Sequence, residues 1–163
     1  MVDVSVTATS SDQNLTDSPH YLAETLIKNG VKHMYGVVGI PVTDFARIAQ
    51  GMGIRFIGMR HEEDAVNAAA EGFLTGRPAV ALTVSAPGFL NGLAPLLEAT
   101  TNGFPVIMIG GSSTRHVVDM HEGEYEGLDQ MNYAKQFCKE SFRIDKIEDI
   151  PLAVARAMHI ACS

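Results

Sequence analysis

The stretch Arg60-His61-Glu62-Glu63-Asp64 sets three successive carboxylates beside an imidazole, at the start of an alanine-rich run. Acids in a first helical turn complement the positive end of the helix dipole and need no ligand. A carboxylate lodged beneath an apolar ring does something else: desolvation disfavours its charged form, and it shares a proton with a ring nitrogen. One of the three acids suffices for that chemistry, and His61 then serves as a packing or hydrogen-bonding neighbour rather than a base. Three further stretches follow apolar runs. Gly36-Val37-Val38-Gly39-Ile40-Pro41 is either a plain strand-to-helix turn or a place where glycines let backbone approach a ligand. Thr83-Val84-Ser85-Ala86-Pro87-Gly88-Phe89-Leu90-Asn91 turns on small residues into a helix, as a stop-and-start signal or with backbone N–H groups facing a polar ligand. Residues 110–129 collect Arg115, His116, Asp119, His121, Glu122, Glu124, Tyr125, Glu126 and Asp129. This is a solvated acidic loop or, given its length inside a compact domain, part of an active site.

Several chemistries find no support. Neither GxGxxG nor GxxxxGK[ST] occurs, and without GxSxG or a partnered His and Asp, Ser85 is no hydrolase nucleophile. His116 and His121 stand five apart in no zinc or calcium pattern, so no metal site is expected within the chain. Cys138 and Cys162 lack CxxC spacing and read as inert thiols, and the eight methionines read as core filler.

These stretches have to be held by an alternating frame. Thr16-Asp17-Ser18-Pro19 caps a helix that carries Leu22, Leu26 and Ile27 on one face and stops at Lys28-Asn29-Gly30. Strands are then expected at 31–38, 54–59, 79–84 and 106–109, separated by helices at 42–50, 61–75 and 88–100. A short helix near 130–136, a strand at 138–144 and an amphipathic helix at 147–161 complete the pattern. Near-continuous apolar strands such as AVALTV suit a parallel sheet buried on both sides. The expected fold class is therefore α/β: a doubly wound, mainly parallel sheet with helices on both faces, three layers in all. Ligands of such sheets collect at the carboxyl ends of the strands, where the four stretches fall.

The 163 residues, 46% hydrophobic, suffice for one domain with a real core, expected at 16–163 behind a mobile N-terminal tail at 1–15. A formal net charge of −7, from 12 Lys+Arg against 19 Asp+Glu, argues against nucleic acid and anionic membranes as partners. With no signal-peptide pattern at the start and no apolar run near the roughly 20 residues of a spanning helix, a cytoplasmic setting is expected.

Taken together, MYGVVGIPVTD (34–44), RHEE (60–63), LTVSAPGFLNGL (82–93), ATTNGFP (99–105) and the stretch from GGSS to GEYEGLDQMN (110–132) resemble the oxalyl-CoA decarboxylase branch of the thiamine-diphosphate-dependent enzymes. The likeness is to the N-terminal pyrimidine-binding domain and is more distant to 2-hydroxyacyl-CoA lyase and acetolactate synthase. SAPGFLNG and DQMN mark the decarboxylase end of this group, whereas VxGIP and the lone glutamate are shared more widely.

This resemblance implies a site. Glu62 stands where the family has the glutamate that hydrogen-bonds N1′ of the cofactor's aminopyrimidine and promotes its imino form. Gly39, Ile40, Pro41, Ser85, Pro87 and Gly88 would line the cofactor, and Tyr125 with Glu126 match a pair near the reacting centre that orders water or assists proton delivery. The implied reaction converts oxalyl-CoA to formyl-CoA and CO₂. Thiamine diphosphate is the implied cofactor, with Mg²⁺ expected only through a diphosphate-binding domain outside this chain. The implied partners are that domain, from the same or another chain, an acyl-CoA substrate in the complete enzyme, and further copies in a homo-oligomer. Where the family usually follows RHE with Gln, this chain has Glu63, Asp64 and Asn67. The family also continues past the position of Ser163 into a Gly-Arg-Pro-Gly stretch and a last strand. A fragment that is not catalytic alone is therefore expected, the alternatives being one subunit of a split thiamine-dependent lyase or a stand-alone, non-catalytic interaction or regulatory module.

Overall fold

The computed structural model describes residues 16–163, so the tail expected at 1–15 lies outside the described residues. Asp17 opens α1 (Ser18–Lys28) by accepting a hydrogen bond from the His20 amide at 2.9 Å, with Pro19 in the first turn and Ala23 and Leu26 facing the core. Strands and helices then alternate as β1 (His33–Gly36), α2 (Thr43–Gly51), β2 (Arg55–Gly58), α3 (Glu62–Ala69), α4 (Gly72–Thr75), β3 (Ala79–Thr83), α5 (Pro87–Asn91), α6 (Leu93–Asn102) and β4 (Val106–Gly110). Three helices follow: α7 (Arg115–Met120), α8 (Gln130–Ala134) and α9 (Ile150–Ala161), the last entered through a 3-10 turn at Ile147–Asp149.

The four strands are parallel in the order β2-β1-β3-β4. From β1 the chain winds outward to β2, then returns to lay β3 and β4 on the other side of β1. The winding direction therefore reverses between β1 and β3, and the crevice of a doubly wound sheet opens at that point. Period-two alternation divides the core. Val80 and Leu82 of β3 pack with Leu26, Met34, Ile54 and Val154 on one face. Ala79 and Ala81 pack with Val66, Phe89, Leu96 and Ala134 on the other. The result is the expected three-layer α/β/α arrangement. At Gly36 a Cβ would fall 2.6 Å from the Leu82 carbonyl oxygen, so the two central strands approach in a way only glycine allows.

Three sequence expectations are corrected. The helix expected over 61–75 breaks after α3, because Gly72 passes so close to the Pro105 and Arg77 carbonyls that a Cβ would fall 2.7 and 2.8 Å from them. At this break Glu71 turns back onto β1 and accepts from the Tyr35 hydroxyl at 2.8 Å. The helix expected over 88–100 is divided at Gly92, since Pro95 has no N–H to offer the carbonyl four residues earlier. The strand expected at 138–144 does not form. A strand needs a hydrogen-bonded neighbour, and an apolar cleft of about 540 Å³ lies here, lined by Met108 and Ile109 of β4, Phe142 and Ile144 of the segment, and Val154 and Ala157 of α9. Among the described residues no helix is long and apolar enough to cross a membrane.

Candidate functional site

Glu62 is the first residue of α3, and its burial follows from its place on the helix. Glu62, Ala65, Val66 and Ala69 recur at the i, i+3, i+4, i+7 spacing of one face, and all four are buried. The carboxylate thus sits at the head of an apolar stripe, 7% exposed, while Glu63 and Asp64 fall on the outer face and are exposed. His61 is the N-cap: its Nδ1 accepts from the Glu63 amide at 3.2 Å, which holds it outside as a structural neighbour.

What faces Glu62 comes from the turn after β3. Asn91 Nδ2 donates to Glu62 Oε2 at 3.0 Å. Gly88, one turn earlier on the same helical face, lies over Oε1, and a Cβ there would fall 2.8 Å from that oxygen. No hydrogen bond among the described residues engages Oε1. The turn after β1 closes on the same place: a Cβ on Gly39 would fall 2.7 Å from Val84 Cγ1, and one on Gly111, after β4, 2.6 Å from Pro41 Cδ. Loops from β1, β3 and β4 and the start of α3 after β2 therefore converge at the carboxyl ends of the strands. The peptide between Ile40 and Pro41 is cis, and Ile40 stands out from this turn, 81% exposed.

Ser85 and its neighbour Thr83 are fully buried, and neither hydroxyl has a hydrogen-bond partner among the described residues. Orphaned hydroxyls of this kind cost about 1–3 kcal/mol each. Pro87 opens α5 behind them. Tyr125 and Glu126 lie on the 121–129 loop, Tyr125 being 79% exposed, and no hydrogen bond among the described residues joins either to Glu62. In the same region His116 Nε2 meets Glu122 at 2.8 Å, and α7 occupies part of what the sequence read as loop. Among the described residues no three His, Cys, Asp or Glu side chains gather as a metal site. Glu62, Gly39, Ser85 and Gly88 do not line the large cleft beside β4, although their neighbours Phe89 and Gln130 do.

Two residues of this site were not singled out by sequence reasoning. Asn91 falls within the helix expected at 88–100 and carries no role in the sequence reading, although its i+3 spacing from Gly88 puts both on one face of α5. Gln130, in the DQMN stretch, is buried and bonds the main chain of two of the converging loops: Oε1 accepts from the Ala86 amide at 2.9 Å and Nε2 donates to the Gly111 carbonyl at 2.5 Å.

A doubly wound sheet that offers one buried carboxylate beside its switch-point crevice is built as a ligand-binding α/β domain. Residues 17–133 match the family described as thiamine pyrophosphate enzyme, N-terminal TPP binding domain, and the chain belongs to that family. It is 56% identical to oxalyl-CoA decarboxylase of Escherichia coli (strain K12) over 155 residues, which cover 94% of this chain and 28% of the relative. It is 44% identical to 2-hydroxyacyl-CoA lyase of Arabidopsis thaliana over 143 residues, 87% of this chain and 25% of the relative. To 2-hydroxyacyl-CoA lyase 1 of Homo sapiens the identity is 41% over 138 residues, 84% of this chain and 24% of the relative. The chain thus spans about a quarter of the length of these proteins.

Proposed function

We propose that this chain is the pyrimidine-binding domain of a thiamine-diphosphate-dependent acyl-CoA lyase that converts oxalyl-CoA to formyl-CoA and CO₂, with Glu62 as its catalytic carboxylate. The observation that carries the reading is the buried Glu62 side chain, tied at Oε2 by Asn91 and with Oε1 beneath Gly88. The residues present fit the cofactor's aminopyrimidine. Glu62 offers an acceptor that holds or releases a proton at a ring nitrogen, glycines at 39 and 88 leave room for close approach, Ile40 presents an apolar side chain to a ring, and Ser85 holds a buried hydroxyl in need of a partner. Pro41 and Pro87 stiffen the two turns that bring these groups together. Bound thiamine diphosphate supplies the carbanion chemistry, and the protein supplies position and polarity. Tyr125 and Glu126, on an exposed loop, are assigned to proton delivery or water ordering near the substrate.

Because relatives run to about four times this length, the diphosphate, its Mg²⁺ and the acyl-CoA are assigned to parts of the protein outside these residues, in a cytoplasmic homo-oligomer. In the same reading residues 16–163 belong to one domain, and a last strand like the one that follows in the family fits the apolar cleft beside β4. The decisive experiment on function is Glu62→Ala in the full-length protein. Loss of at least 100-fold in thiamine-dependent oxalyl-CoA turnover, with native circular dichroism, is the expected result (about 10²–10⁴-fold for a positioned acid or base); retained turnover defeats the assignment.

A further inference from the structure

Ala86 has φ 43° and ψ −89°. Positive φ is uncommon for a residue with a Cβ, and conformations of this kind cost about 1–3 kcal/mol and persist only where the surroundings enforce them. Pro87 adds a restriction, since a proline disfavours the α region for the residue before it. Something must hold the Ala86 peptide, and the Gln130 carboxamide is bonded to it. Its orientation is fixed by its partners, because an N–H at Ala86 requires the oxygen and a C=O at Gly111 requires the NH₂ group. Gln130 is itself anchored at the start of α8, where Asp129 caps the helix by accepting from the Asn132 amide.

We propose that Gln130 is a positioning residue for Glu62. Its carboxamide locks the Ala86 turn, and the turn carries Gly88 and Asn91, the residues that confine the two carboxylate oxygens. The same amide ties that turn to Gly111, on which Pro41 rests, so one side chain sets the β3 loop against the β1 and β4 loops. The consequence for the cofactor rests on the function proposed above, whereas the lock itself does not.

The test is hydrogen–deuterium exchange on the full-length protein without cofactor, together with thiamine diphosphate titrations, in the native protein, Gln130→Met, Ala86→Gly and the double variant. Gln130→Met is expected to speed exchange across 84–92 and to weaken cofactor binding, each by about tenfold, as loss of a buried hydrogen bond implies. Glycine adopts positive φ without being held, so in the Ala86→Gly background the same change should weaken binding by less than about threefold, a coupling that a purely structural role does not produce. Unchanged exchange at 84–92 in Gln130→Met, or an equal loss in the glycine background, overturns the proposal. If Gln130→Met does not fold, the native protein decides: the lock requires the Ala86 amide to exchange about as slowly as those of β3, and exchange as fast as the 121–129 loop overturns it. A native protein that shows the lock by exchange yet binds no thiamine diphosphate supports the lock and defeats the proposed function.

Discussion

Gly88 and Glu62 are set so close that a methyl group cannot stand between them: a Cβ on Gly88 would lie 2.8 Å from Glu62 Oε1 and 3.3 Å from its carboxyl carbon, and would overlap Val84 Cγ2. Gly88→Ala must therefore displace the carboxylate, the valine or the helix that carries residue 88. Overpacking of this kind costs about 1–3 kcal/mol. The expected outcome is a folded protein with a lowered unfolding midpoint and at least about tenfold weaker thiamine diphosphate binding, read by denaturant titration and calorimetry. Full affinity in Gly88→Ala would mean that the glycine serves only the helix start.

Asn91 presents the complementary case, a contact removed rather than a clash added. Asn91→Ala strips Glu62 Oε2 of its donor, and hydrogen bonds to charged groups contribute about 1.5–3 kcal/mol. Under the proposed function, turnover of the full-length protein should fall about tenfold or more with little change in the affinity for acyl-CoA, because Asn91 orients the carboxylate and is assigned no substrate contact. Steady-state kinetics separate the two: a rise in KM at constant kcat would place Asn91 on the substrate instead.

The fate of these two residues shows where the sequence was readable. The alternating frame and the parallel sheet were legible because apolar runs such as 79–83 have the same meaning wherever they occur. Glu62 was legible as one of three acids, and its spacing from Ala65, Val66 and Ala69 selects it as the inward one. Gly92 and Pro95 signalled the break between α5 and α6, but a continuous helix was the simpler pattern. The strand at 138–144 failed for a non-local reason, since β-rich residues form no strand without a neighbour to bond. Gln130 was illegible because its two partners are 44 and 19 residues away in sequence, and only the folded chain brings them to one amide.

The open side of β4 gives the domain assignment its test. An edge strand leaves every second amide to solvent, whereas a strand paired on both sides protects them all. If polypeptide beyond α9 fills the apolar cleft as a parallel strand, all five residues of Val106–Gly110 should be slow in hydrogen exchange in the full-length protein. Alternate fast amides along β4 would show that the cleft holds no strand and that the sheet ends where β4 does.

Far from the candidate site, Tyr35 makes stability depend on alkaline pH. Its hydroxyl donates to Glu71 Oε2 at 2.8 Å, while His33 Nδ1 meets Oε1 of the same carboxylate at 2.6 Å. Burial first, then the hydrogen bond to Glu71 and its negative charge, push the phenol pKa up to about 12, against a weaker opposing effect of Arg55. The folded value lies above the ordinary one of about 10. The neutral phenol is therefore the form that folding favours, and its stabilisation is complete below about pH 10 and disappears as pH rises through about 12. Denaturant unfolding of the native protein and of Tyr35→Phe should show a stability gap at pH 9 that narrows steadily towards pH 12. Ultraviolet titration should find a phenol ionising near pH 12 in the native protein that is missing from Tyr35→Phe. A gap that stays constant across this range would mean that the Tyr35–Glu71 contact does not discriminate between phenol and phenolate.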